Sequence, residues 1–258
     1  GDDLMCTAVL REMRRRGYRS IWMMSRFPEL FEGNPDADRV VPHDERYERY
    51  AQWMGGRSWY VHYGGHDHER DQSPIPQRHI IASMCASCEL TGEVTLRPYL
   101  HLTDEERAVG RLAPRQIVLH SSGLSAYSAM RNKEWVEGRM QQVVNALRDE
   151  YTIVQLGATE DPALDGVVDL RGRTTMRQSA AIIANSVLTV AQVGFLMHLT
   201  RAVDRLAPWG ATALYDVLLR GVDMLGRQTG RKALVVFTDG EDQGSHVTIE
   251  EVERRLQA

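Results

Sequence analysis

Apolar positions recur in two periods along this chain. Leu4, Met5, Ala8, Val9 and Met13 share one helical face, so residues 3–16 are predicted as a helix with Asp2 or Asp3 at its start and Gly17 as its stop. Short apolar runs at 20–24 and 39–41 are predicted strands, separated by the turn signal Asn34-Pro35-Asp36. A helix over 45–54 is broken by Gly55-Gly56, and residues 58–62 alternate as a strand. A polar loop, 64–77, carries Pro74 and Pro76 and leads to a helix over 78–89 marked by Ile80, Ile81, Met84, Cys85 and Cys88. Residues 97–102 are extended, Thr103 opens a short acidic helix, and Pro114 closes the first half.

The second half repeats the alternation. Strands are predicted at 116–120, 151–156, 167–170, 187–190 (buried) and 233–237. Helices are predicted at 134–149, with Met140, Val143, Val144 and Leu147 on one face, and at 176–185, 194–204, 213–227 and 249–257. Thr175 with Gln178, and Thr248 with Glu251, have the spacing of a capping box. Strands alternating with helices imply parallel sheets covered on both faces, so the fold class is α/β. The charged stretch 103–115 divides the chain into two expected Rossmann-like domains, 1–112 and 113–258. Ligands of such units bind at the carboxyl ends of the strands.

Composition narrows the setting. With 258 residues, 43% hydrophobic and 26% charged, the chain has the make-up of an ordinary globular protein. A net charge of -4 gives no electrostatic case for nucleic acid. The run Arg14-Arg15-Arg16 is read as solvating a helix end, where cations suit the dipole. Three cysteines suggest no disulfide framework, and Cys85-x-x-Cys88 is read as a pair of core thiols rather than a zinc or redox site. The sequence holds neither a long apolar run nor a leader pattern, so no membrane span is expected and the cytoplasm is the expected setting. Peripheral membrane contact stays open, and oligomeric state is not legible. The chain begins at Gly1, directly ahead of a helix, and reads as a fragment or a processed start.

Two stretches have residues suited to chemistry. Asp2 stands at a helix start, where a carboxylate caps backbone N–H groups or, at the lip of a cleft, removes a proton from an acceptor hydroxyl. His120-Ser121-Ser122-Gly123 follows a strand and leads through Asn132-Lys133-Glu134-Trp135 towards a helix. Such a turn is either an ordinary solvated loop or a set of N–H groups offered to a phosphate. Lys133, one of two lysines beside Lys232, is placed to neutralise a leaving diphosphate. It is not the Lys of a GxxxxGK[ST] loop, so an ATPase is not supported. His62, His66 and His68 with Asp67 and Glu69 match no defined metal spacing.

Taken as a set, these pieces resemble the heptosyltransferase-like glycosyltransferases of family 9. The matching motifs are Gly1-Asp2 with LMCTAVLREMRRRG at 4–17, GNPDADRVV at 33–41, RPYLHLTDEE at 97–106 and QIVLHSSG at 116–123. They continue with NKEW at 132–135, YTIVQLG at 151–157, GVVDLRGRTTMRQSAAIIANS at 166–186 and GFLMHLTRAVD at 194–204. The resemblance implies a GT-B fold of two facing Rossmann-like domains. It also implies inverting, metal-independent transfer of a sugar from a nucleotide-sugar donor to a glycan or lipid-linked acceptor hydroxyl, in surface glycan or lipopolysaccharide assembly, with no cofactor required. By resemblance Asp2 matches the general base. Ser121, Ser122, Gly123 and Lys133 match diphosphate-binding positions, Gly194 and His198 a second donor-side motif, and Glu160 a ribose contact. The family's strand before Gly1-Asp2 is absent, and Gln192-Val193 stand where it commonly carries an acidic residue before the Gly.

From about residue 206 the resemblance changes. Residues 208–245, PWGATALYDVLLRGVDMLGRQTGRKALVVFTDGEDQGS, are similar to the second half of a von Willebrand factor type A domain. There Thr212 and Asp239 match two of the residues that hold a divalent cation, and the family's D-x-S-x-S element is missing; the only D-x-S here is Asp71-Gln72-Ser73. Mg²⁺ at such an incomplete site, a non-catalytic cation-dependent interaction module, and an inactive fusion product are therefore the alternatives to an enzyme.

Overall fold

The protein is described here by a computed structural model covering residues 1–64, 78–126, 129, 131–135, 138–192, 194–203, 219 and 247–257. It divides into two compact units, Gly1–Leu206 and Ala207–Ala258. The fold is α/β with parallel sheets throughout its described strands.

The first unit opens with α1, Asp2–Arg15. The predicted apolar face is buried, but so are Cys6, Thr7, Leu10 and Glu12, because the helices Ile80–Ser87 and Phe195–Ala202 and a 3-10 turn at Pro28–Phe31 pack around the helix. Buried Glu12 is compensated by the Thr95 N–H at 3.1 Å and Arg15 Nε at 3.0 Å, as a carboxylate removed from water requires. Strands β1, Trp22–Ser25, and β2, Arg39–Pro42, pair in parallel, Trp22 opposite Arg39. Helix α2, Glu45–Trp53, buries none of its residues, and its N-cap is Asp44. Residues 58–62 form no ladder. They run extended beside α3, Ile80–Ser87, and the His62 N–H reaches the Ser87 Oγ at 3.2 Å. The alternation that predicted a strand instead turns Trp59 and Val61 towards the core and leaves Tyr60 in solvent.

Helix α4, Asp104–Val109, has a complete capping box of Thr103 and Glu106. It leads into the larger sheet, formed by β3, Gln116–His120, β4, Thr152–Leu156, β5, Val168–Asp169, and β6, Leu188–Val190, in the order β5-β4-β3-β6. All five residues of β3 are buried, and the two-residue side-chain period splits them between two cores. Ile117 and Leu119 pack with Met140 and Val144, whereas Val118 packs on the side of α1 and of α6, Met176–Ala184. The predicted capping box of Thr175 and Gln178 is complete at the start of α6.

Two further expectations need correction. Helix α5 spans Arg139–Leu147 instead of starting at 134, since Gly138 precedes it in the left-handed region at φ 77° and Arg131–Lys133 form a separate 3-10 turn. Strand β6 is not buried. Among the described strands it sits at a sheet edge paired only with β3, leaving Val187 53% and Leu188 46% exposed. Helix α7, Phe195–Ala202, completes the first unit.

In the second unit the described helix is Ile249–Gln257, and Thr248 and Glu251 exchange both capping-box bonds. The predicted helix 213–227 (except residue 219), strand 233–237, Thr212 and Asp239 lie outside the described residues, as do His66, Asp67, His68, Glu69, Asp71 and Ser73. Cys85 and Cys88 are buried free thiols, as expected of core residues. No helix among the described residues is long and apolar enough to cross a membrane.

Candidate functional site

The described candidates follow β3, β4 and β6 in the chain or, like Asp2, stand beside the end of β1, and the carboxyl ends of strands are where an open α/β sheet leaves a crevice. At the end of β1, the Ser25 hydroxyl donates to Asp3 Oδ1 at 2.5 Å and accepts the Phe27 N–H at 2.9 Å. This ties the strand end to the first turn of α1 and leaves Asp2 exposed beside it. Tyr63 reaches the same carboxylate, its hydroxyl 3.4 Å from Asp2 Oδ2.

The start of α7 packs against the start of α1. A Cβ added to Gly1 would lie 3.1 Å from His198 Cδ2. His198 is half-buried, and its backbone N–H bonds the Gly194 carbonyl at 3.2 Å. Burial pushes its imidazole below the ordinary histidine range; the positive amino terminus at Gly1 adds to that shift, the charge of Asp2 opposes it, and Lys133 and His79 reinforce it. Asp2, Lys133 and His198 therefore share one electrostatic neighbourhood although they lie far apart in sequence.

The turn after β3 is internally bonded. Ser121 Oγ donates to the Pro162 carbonyl at 2.7 Å and accepts from Gln155 Nε2 at 2.8 Å. Ser122 Oγ accepts the Leu124 N–H at 3.1 Å, and the Gly123 N–H donates to Glu134 Oε1 at 2.8 Å. Because Glu134 follows Lys133 directly, that bond also carries the lysine to the turn. Glu160 is exposed on the turn after β4, with no described hydrogen bond or ion pair.

Sequence reasoning missed the groups that hold this turn in place. Asp161, 3% exposed, accepts from Ser125 Oγ at 2.6 Å and from the Ala158 N–H at 2.8 Å, and lies 3.4 Å from His120 Nε2. Gly157 makes room for it: at φ 143° this residue lies outside what L side chains favour, and a Cβ there would come within 2.3 Å of Asp161 Oδ2. Burial pushes His120 below the ordinary histidine range, against the pull of Asp161 and Glu134. Gln155, fully buried, also donates to the Pro162 carbonyl and accepts the Leu164 N–H. Gln192 donates to the Ser121 carbonyl at 3.2 Å, while its buried Oε1 has no partner. Gly157 had a sequence signal as a glycine at a predicted strand end, His120 as part of the β3 turn and Gln192 as a departure from the family's pattern, whereas Gln155 and Asp161 had none.

No group of three or more His, Cys, Asp or Glu among the described residues is arranged to hold a metal ion. The described candidates offer instead an exposed carboxylate, an exposed ammonium, a half-buried imidazole and a polar turn. A carboxylate in that position can accept a hydroxyl proton, and an ammonium can neutralise charge developing on a leaving group.

No protein-family model matches the chain. Nor does any curated protein sequence. Solved structures do share its fold. Escherichia coli ADP-heptose LPS heptosyltransferase II superimposes with a TM-score of 0.56 at 16% identity, covering 78% of each chain. A glycosyltransferase of family 9 from Veillonella parvula gives 0.56 at 15% identity, covering 77% of this chain and 74% of its own. The iron-containing dodecameric glycosyltransferase TibC from enterotoxigenic E. coli gives 0.58 at 11% identity, covering 79% of this chain and 54% of its own.

Proposed function

We propose that this chain is a heptosyltransferase-like glycosyltransferase of family 9 that moves a sugar from a nucleotide-sugar to an acceptor hydroxyl with inversion. The observation that supports this reading is that His198, packed beside Gly1, senses the charges of Asp2 and Lys133 in a fold shared with glycosyltransferases. In the proposed step, an Asp2 carboxylate oxygen takes the hydroxyl proton as the acceptor oxygen bonds to the anomeric carbon. The bond from that carbon to the donor diphosphate breaks, and Lys133 neutralises the charge left on the diphosphate. The Ser121–Gly123 turn holds the diphosphate, Gly194 and His198 border it, and Glu160 contacts the ribose. ADP-heptose, the donor in the name of one structural neighbour, is the first to try, and a glycan or lipid-linked sugar is the acceptor class.

The test is release of nucleoside diphosphate from a panel of nucleotide-sugars with lipopolysaccharide core acceptors. Asp2→Asn should abolish turnover and leave donor binding within about twofold, since removing a proton acceptor touches the transition state only. Turnover that survives Asp2→Asn would remove Asp2 as the base, and no turnover with any donor would defeat the reading.

A further inference from the structure

We propose that Glu134 is a built-in competitor for the diphosphate: its carboxylate occupies the Gly123 amide and must be displaced before a donor can bind. The proposal rests on the reading of the Ser121–Gly123 turn as the diphosphate site. The Gly123 N–H is engaged by Glu134 Oε1 at 2.8 Å, an anion–amide bond of the kind a phosphate oxygen would make. The contact crosses eleven residues of sequence, so it is not a local turn bond.

The surroundings favour exchange over a fixed brace. A point one Cβ out from Gly123 lies 3.5 Å from Glu134 Oε1 and 3.6 Å from Gln192 Oε1. Two acceptor oxygens thus flank the open side of the glycine, and the Gln192 oxygen is buried without a partner. A buried acceptor in that state is costly, and a ligand that brings its own hydroxyl donors would satisfy it. Glu134 itself is only half-buried, and the one described hydrogen bond of its side chain is the one to Gly123. With Lys133 exposed next to it, the carboxylate can leave the amide without crossing the core. Diphosphate then takes the amide and the lysine together, and Glu134 swings into solvent.

The consequence is a sign that a bracing role would not give. The probes are inorganic pyrophosphate and the diphosphates ADP, GDP, UDP and CDP, titrated calorimetrically into wild type, Glu134→Gln and Glu134→Ala. Both variants should bind pyrophosphate about tenfold or more tightly, since one charged hydrogen bond no longer competes. Affinity for the uncharged nucleosides should be unchanged, and thermal melts confirm that each variant is folded. Weaker or equal pyrophosphate binding in Glu134→Gln, or no binding by any of the three proteins, would overturn the proposal. Tightening by Glu134→Gln in a protein that turns over no nucleotide-sugar would uphold the competitor and defeat the transferase reading; turnover without tightening would do the reverse.

Discussion

Arg177 on α6 grips Glu106 on α4 through two near-parallel bonds, Nε to Oε1 at 2.5 Å and Nη2 to Oε2 at 2.6 Å. The same guanidinium donates to the Glu29 and His101 carbonyls at 3.0 and 2.7 Å. One side chain from the larger sheet's helix layer thereby holds three segments of the N-terminal half. Arg177 is 8% exposed, so truncating it strands a partly buried carboxylate and two carbonyls. Arg177→Ala should cost about 3 kcal/mol in urea unfolding, and Arg177→Lys should recover little because an ammonium cannot reproduce the planar fork.

A pH dependence follows from the same pair. Arg177 holds the Glu106 carboxyl below its ordinary range. A depressed folded-state pKa stabilises above the unfolded value and loses that contribution as pH falls through the folded one. The fall in stability below about pH 4.5 should therefore be shallower in Glu106→Gln than in wild type, measured as the urea midpoint.

His120 and His198 act at milder pH. Burial lowers both, so the unfolded chain takes up protons first and stability falls as pH drops below about 6.5. For His198, removing the Asp2 charge should lower its NMR titration midpoint further, and removing the Lys133 charge should raise it. A midpoint indifferent to both substitutions would contradict the shared neighbourhood of the three residues.

Gly110, at the end of α4, lies against Ala181 of α6. A Cβ there would fall 2.2 Å from the Ala181 carbonyl oxygen, which is backbone and cannot swing aside. Gly110→Ala should destabilise by about 1–3 kcal/mol, the usual range for forcing extra volume into a packed contact, measured by thermal melting.

Legibility in the sequence followed range. The boxes of Thr103 with Glu106, Thr175 with Gln178 and Thr248 with Glu251 are set by residues three apart, and local spacing revealed the latter two as boxes and placed Thr103 at its helix start. The apolar face of α1 and the existence of strand β3 were equally plain. Gly138 was not, because its left-handed conformation lies within a stretch whose apolar period continues on both sides. The edge position of β6 depends on which strand pairs with which, and no local pattern encodes that. At the site, Asp2 and Lys133 were singled out by their places at a helix start and in the β3 loop and His198 by a resemblance, but the bracing roles were not legible. Gln155, Asp161 and Gln192 are polar residues beside strand ends whose roles arise only when the β3 turn and the β4 turn meet. Gln116 is a parallel case in the frame. Fully buried, it bonds the Gly110 and Ile182 carbonyls and the Leu112 and Ala113 N–H groups, none of which periodicity could pair with it.

The measurement closest to the central claim is a calorimetric titration of the wild-type chain and Lys133→Ala with ADP, GDP, UDP and CDP. The account predicts that at least one diphosphate binds wild type and that Lys133→Ala weakens it about tenfold or more, the loss of one charge-assisted contact to phosphate. Binding unchanged in Lys133→Ala, or no binding to wild type at all, would contradict the placement of a nucleotide diphosphate beside the Gly123 turn.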